Sequence, residues 1–126
     1  MSGSKIVLDT NIVLYLLSGD KTLATFLQDK QAYISVIAEL ELIGFPDITV
    51  KELKQIRAFL EDCTVIDINE EIKHLYSSLR KQYRLKLGDA MAAATAIYLD
   101  LPFMSADKGF NRITELQLTS YNPEGR

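Results

Sequence analysis

The residues best suited to chemistry in this sequence are acids that stand where one pattern stops and another begins. The apolar run Lys5-Ile-Val-Leu8 ends at Asp9-Thr10-Asn11, and Pro102-Phe-Met104 runs into Ser105-Ala-Asp107-Lys-Gly-Phe110. Asp89 follows Leu87-Gly88 at the head of the alanine-rich stretch Ala90-Met-Ala-Ala-Ala-Thr-Ala-Ile97. Ser35 leads into Val36-Ile-Ala-Glu-Leu-Glu-Leu-Ile43, which carries Glu39 and Glu41. Taken singly, each of these reads equally well as a helix cap or a turn, because short polar side chains satisfy free backbone N–H groups. Their joint placement says more. Carboxylates brought together raise at least one pKa unless a cation compensates, so a nest of three or four implies a metal ion. Oxygen donors without a suitable histidine or cysteine favour Mg²⁺ or Mn²⁺ over zinc. His74, the only histidine, falls in the middle of a helical pattern and is expected on the surface or satisfied there.

Carboxylate-held Mg²⁺ suits hydrolysis of a phosphodiester, since the ion lowers the pKa of a bound water and stabilises charge on the phosphoryl and leaving oxygens. Other chemistries lack their parts. No Ser-His-Asp arrangement is available, and no glycine-rich loop precedes a lysine and a hydroxyl residue, which removes acyl transfer and nucleotide kinases.

The acids need elements to position them. Runs rich in Ile, Val, Leu, Tyr and Phe recur at 5–8, 32–35, 64–67 and 102–105, with a weaker one near 117–119, and these are expected strands. Between them the spacing of Ile72, Leu75, Tyr76, Leu79 and Tyr83 predicts a helix with one apolar face, capped by Asn69. Thr49 with Glu52 three residues on is a capping-box pattern, opening a helix expected to bury Leu53, Ile56 and Leu60, while Pro46 closes the helix before it. Alternation of strands with helices predicts an α/β fold, a single three-layer domain whose mostly parallel central sheet is flanked by helices. In such sheets the functional crevice lies beyond the carboxyl ends of the strands, where strand order reverses. Asp9 and Asp107 are expected at that edge. Small residues after Asp89 let its helix approach the sheet closely, bringing that acid to the same place.

Only one of Glu39 and Glu41 can join the others, because positions two apart on a helix point to nearly opposite sides. Glu41 shares its stripe with Gly44, which leaves space beside the sheet, whereas Glu39 lies nearer the polar flank.

The chain of 126 residues fits one domain, expected over 5–126, with Met1-Ser2-Gly3-Ser4 as a flexible leader or expression scar. Its apolar and charged fractions, 48% and 25%, are those of a globular protein and exclude the fibrous and disordered classes. The longest apolar run, Ile12 to Leu17, is far short of the roughly 20 residues of a membrane-spanning helix, so the expectation is a cytoplasmic protein without a membrane partner. That same run is apolar around the whole helix and needs cover on more than one side. Cys63, the lone cysteine, reads as a packed thiol. The net charge of −3 argues against a nucleic-acid partner until the cluster is set aside. With four of the 17 acids so assigned, 13 remain against 14 bases, a net of about +1. Arg80, Lys81, Arg84 and Lys86 before Asp89, and Lys108 and Arg112 beside Asp107, then read either as a solvated face or as a basic rim for a nucleic acid.

In order along the chain, Ile-Val-Leu-Asp9-Thr-Asn11, Ile-Ser35-Val-Ile-Ala-Glu-Leu-Glu41-Leu-Ile-Gly44, Leu87-Gly-Asp89-Ala-Met-Ala-Ala-Ala-Thr95-Ala and Ser105-Ala-Asp107-Lys-Gly-Phe110 resemble the successive motifs of the PIN domain. Their order and spacing resemble the VapC-like toxins of type II toxin-antitoxin systems in particular, from Ile6 to about Tyr121. The resemblance implies a Mg²⁺- or Mn²⁺-dependent endoribonuclease held inactive by a cognate antitoxin. It carries Asp9, Glu41, Asp89 and Asp107 over as catalytic, metal-binding acids and Asn11 and Ser105 as supporting polar residues. It also implies a homodimer and a hydrophobic groove for an antitoxin segment. Gly88 stands where many relatives have another residue, often proline, and Ala38 where many have threonine. Two alternatives remain at this point. One is a Mg²⁺-dependent phosphatase-like enzyme, which usually wants a further acid directly after Asp9; the other is a catalytically inactive PIN-like binding module.

Overall fold

The computed structural model describes residues 4–123. Positions 1–3 of the expected leader, and residues 124–126 at the other end, lie outside the described residues. Five strands, β1 (Lys5–Leu8), β2 (Gln31–Ser35), β3 (Thr64–Ile66), β4 (Phe103–Ser105) and β5 (Leu118–Ser120), form one sheet in the order β3-β2-β1-β4-β5. Every pairing is parallel, which sharpens the mostly parallel expectation. Six helices make the crossovers: α1 (Thr10–Leu17), α2 (Lys21–Leu27), α3 (Val36–Ile43), α4 (Val50–Glu61), α5 (Glu70–Tyr83) and α6 (Leu87–Leu99).

Strand alternation splits the core into two layers. Ile6 and Leu8 of β1 pack with Ile12, Val13, Leu23, Ala38, Leu42, Ile56 and Leu60 from α1 to α4. Val7, between them, packs on the opposite face with Ile72 and Leu79 of α5 and the alanines of α6. Phe103 and Phe110 meet edge to face on that side, with ring centroids 5.0 Å apart. The alanines act as the sequence implies. Ala90, Ala93, Ala94 and Ala96 have no solvent exposure, so α6 lies close enough to α5 and the sheet to exclude anything larger.

Local signals account for the helix starts. Asn69 Oδ1 accepts from the Ile72 N–H at 2.8 Å, and Thr49 and Glu52 form both bonds of the capping box, at 3.1 and 2.9 Å. Ile56 and Leu60 of α4 are buried as expected, but Leu53, in the first turn of that helix, is only partly so. Ile12 and Val13 are buried while Leu14 to Leu17 are half-covered, so α1 finds cover on one side more than the other. His74 is exposed on α5. Cys63 is partly buried, and desolvation pushes its thiol up to about 11. Among the described residues no helix is long and apolar enough to cross a membrane.

Candidate functional site

Strand order reverses between β1 and β4, because β2 and β3 lie on one side of that pair and β5 on the other. Val7 pairs with Phe103 and Leu8 with Met104, so Asp9 and Ser105 follow at adjacent strand ends. The Asp9 N–H still donates to the Met104 carbonyl at 2.9 Å, which fixes the backbone where the two chains part.

Asp9 both caps α1 and lines a cavity. Its Oδ1 accepts from the Thr10 N–H at 2.9 Å at the start of α1, and its Oδ2 accepts from Ser105 Oγ at 2.6 Å. Ser105 is fully buried, and its Oγ also accepts from the Asp107 N–H at 3.0 Å, joining two of the acids through one hydroxyl. Asp107 caps the short 3-10 turn Lys108–Arg112 with a bond from the Gly109 N–H at 2.8 Å. Asn11 Oδ1 accepts from the Ala106 N–H at 3.4 Å, bracing the loop after β4. Both supporting polar residues named from the sequence therefore contact the strand ends that carry the acids.

Asp9, Asp89, Asp107 and Glu41 line one open cavity of about 520 Å³, together with Thr10, Asn11, Leu14, Gly44, Phe45 and Pro46. The four acids come from four separate elements: the end of β1, helix α3, helix α6 and the loop after β4. Glu39 does not join them. It lines a different depression with Ile43, Arg57, Leu60 and Glu61, on the α4 side of α3. Thr10 and Phe45 are cavity residues that the sequence does not single out. Thr10 is visible there only as part of a polar turn; its hydroxyl donates to Glu41 Oε1 at 3.0 Å.

Electrostatically the cavity is strained toward a cation. Asp9 is 7% exposed, and burial lifts its carboxyl to about 6, against the lowering effect of the bonds from Ser105 and Thr10. Asp89 and Asp107 push it the same way. Asp89 is raised by burial, then by Asp107 and Glu41, with Lys86 opposing. None of the four acids takes part in a salt bridge among the described residues, where the ion pairs are Lys30–Asp29 and Lys73–Glu70. This donor set, all oxygen and without a bonded counter-charge, fits a hard divalent cation. Among the described residues, no three such side chains stand close enough to hold an ion as they are, so the acids surround the cavity rather than form a closed cage.

The basic residues are less focused. Lys86 is the N-cap position of α6 and Lys108 follows Asp107, but neither lines the acid cavity. Arg80 and Lys81, in the last turn of α5, border a separate shallow depression with Tyr76 and Ser77. Arg80 donates to the Tyr76 hydroxyl at 2.9 Å. Arg84 ends α5 in a left-handed conformation, with φ of 55°, and is exposed, as is Arg112.

Fold and site together define an α/β domain with an acid-lined cleft at the switch point of a parallel sheet. The PIN domain profile matches residues 6–116, and the chain belongs to the PIN domain family. A chain from a toxin-antitoxin complex of Klebsiella pneumoniae is 28% identical, with a TM-score of 0.77 over 91% of this chain and 96% of that one. VapBC-1 from nontypeable Haemophilus influenzae gives 27% and 0.77, over 92% and 97%. VapBC2 from Rickettsia felis, bound to a DNA fragment from its promoter, gives 21% identity and 0.83 over 94% and 99%, a likeness of fold. No curated protein sequence matches the chain. The resemblance read from the four motifs thus meets a matching family profile and similar chains from toxin-antitoxin complexes.

Proposed function

We propose that this chain is a Mg²⁺- or Mn²⁺-dependent endoribonuclease and the toxin of a toxin-antitoxin pair. The observation that carries it is the gathering of Asp9, Glu41, Asp89 and Asp107 around one open cleft without a basic partner bonded to any of them. Membership of the PIN domain family, whose nucleases generally use divalent metals, supports the same conclusion.

Asp9, Glu41, Asp89 and Asp107 would hold the metal. When bound, it supplies an activated water and offsets charge on the phosphoryl and leaving oxygens of a phosphodiester. The chain's own residues prepare that site. Ser105 and the Thr10 N–H fix both oxygens of Asp9, so its carboxylate meets a ligand in one orientation. Ser105 relays that order to Asp107 through the Asp107 N–H. Because Asp9 is raised to about 6, loading the site below that pH requires release of its proton, and activity should rise with pH through that value. The cleft is open, which suits a polymer better than a small enclosed substrate.

RNA is the proposed substrate, with Arg80, Lys81, Arg84, Lys86 and Lys108 as its phosphate contacts beyond the cleft. The cognate antitoxin is the proposed inhibitor, supported by the Klebsiella and Haemophilus chains, which come from such complexes. A homodimer is proposed as well, from the half-covered Leu14 to Leu17 of α1.

The test is cleavage of a structured RNA by the purified chain with Mn²⁺, with EDTA, and with Asp9→Asn or Asp89→Asn protein. Cleavage that needs Mn²⁺ and is lost in both variants is expected. Cleavage that persists in EDTA would remove the metal from the proposal, and a folded protein inert under every metal condition would leave a binding module.

A further inference from the structure

Two residues outside the acid set hold the Glu41 carboxylate. Thr10 Oγ1 donates to its Oε1 at 3.0 Å, across 31 positions of sequence. On the other side the bare Cα of Gly88 makes the room. A Cβ at Gly88 would lie 2.7 Å from Glu41 Oε2, 3.3 Å from its Cδ and 3.4 Å from its Oε1, so even one methyl group would have to displace the carboxylate.

Glycine at this position has no backbone reason. Gly88 is the second residue of α6, and the only glycine with positive φ among the described residues is Gly19. Alanine is the better helix former, so glycine here gives up helix stability. The three atoms nearest to a Cβ built there all belong to the Glu41 carboxylate. The next residue along α6 is Asp89, so the same seat brings Glu41 beside a second acid, an adjacency also felt in the upward push that Glu41 exerts on Asp89. Lys86, the cap position of α6, makes no side-chain cap bond that would compete for this space.

We propose that Gly88 and Thr10 are positioning residues that together seat the Glu41 carboxylate in the cleft, Thr10 by a hydrogen bond and Gly88 by leaving out a side chain. This rests on the metal-dependent nuclease proposed above.

The purified protein is titrated with Mn²⁺, following the loss of the free-ion paramagnetic resonance signal, for wild type, Gly88→Ala, Thr10→Val, Thr10→Ser, Glu41→Gln and the double variant Gly88→Ala with Glu41→Gln. Gly88→Ala should weaken Mn²⁺ binding about tenfold, the low end of what loss of a ligand's outer support costs. It should lower kcat on RNA with little change in KM, while the metal-free melting temperature holds or rises, since alanine favours the helix. A merely structural glycine would show the reverse, a lower melting temperature with unchanged affinity. Thr10→Val should weaken binding similarly and Thr10→Ser should restore it. In the Glu41→Gln background, Gly88→Ala should cost less affinity than it does in the wild type, as coupled sites require.

Wild-type affinity in Gly88→Ala and Thr10→Val would overturn the proposal, as would an equal loss from Gly88→Ala with and without the Glu41 carboxylate. If Gly88→Ala does not fold, the Thr10→Val and Thr10→Ser pair decides by the same titration. A wild-type chain that binds no Mn²⁺ is a different result, which sinks the metal-dependent nuclease and leaves no site for the seat to serve.

Discussion

Replacing Asp9 by asparagine should inactivate the protein and yet stabilise its metal-free form at neutral pH. Burial raises the Asp9 carboxyl from 3.8 to about 6, so the folded state holds that proton more tightly than the unfolded chain does. The group's contribution to stability is fully present below pH 3.8 and is lost as pH rises through about 6, where the folded protein must carry a buried charge. A shift of 6 − 3.8, about 2 units, corresponds to about 3 kcal/mol at 1.36 kcal/mol per unit. Asparagine carries no charge and escapes this loss. It keeps an oxygen for the Thr10 N–H but turns the bond with Ser105 around, which costs about 1 kcal/mol because the serine hydroxyl loses its acceptor. The metal-free variant should then be more stable than wild type by about 2 kcal/mol at pH 7.5, or roughly 8 °C in Tm for a chain of this length, and less stable by about 1 kcal/mol below pH 4. Thermal melts in EDTA across pH 3.5–8 read this out. A stability difference that does not change with pH would refute the reasoning, as would a variant less stable than wild type at pH 7.5.

Metal should act in the opposite sense on the wild type. Mn²⁺ at about 100 times its Kd should stabilise the fold by about 2.7 kcal/mol at pH 7.5, an effect that EDTA reverses and that shrinks by pH 5 as Asp9 takes up its proton; calorimetry at the two pH values checks it. Glu41→Gln should abolish Mn²⁺-dependent RNA cleavage in a folded protein, while Glu39→Gln, which faces Arg57 and Leu60 in another depression, should keep most of it; the reverse pattern in a turnover assay would show the wrong glutamate was chosen. Changing Lys86 and Lys108 to alanine should raise KM for RNA and flatten its salt dependence by about one unit of slope for each phosphate no longer neutralised, measured between 50 and 200 mM salt.

Much of the molecule is decided within short stretches of sequence. Strand β1 is apolar because both of its faces are covered, and helices α4 and α5 start where Thr49 and Asn69 can accept from N–H groups three residues on. These are local energies, so the residues involved announce them. Helix α2 is harder to see: it has seven residues, and its main sign is Asp20 accepting from the Leu23 N–H. Asp9, Asp89 and Asp107 are legible because each stands at or just after a break in pattern. That Glu39 and Glu41 face apart is legible too, since a turn of about 100° per residue separates them on any helix.

What the sequence leaves open is whatever depends on residues far apart meeting. Asp9 reads as a plain helix cap until Ser105, 96 positions away, is found to hold its second oxygen and burial is found to raise its pKa. The grip of Thr10 on Glu41 looks like part of a turn until α1 and α3 lie side by side. Gly88 looks like a departure from the pattern until the space beside it proves to hold a carboxylate. Local pattern fixes where an acid stands on its own strand or helix. Only the packing of four elements at the reversal of strand order sets the distances between them, and charge, desolvation and contact all depend on those distances.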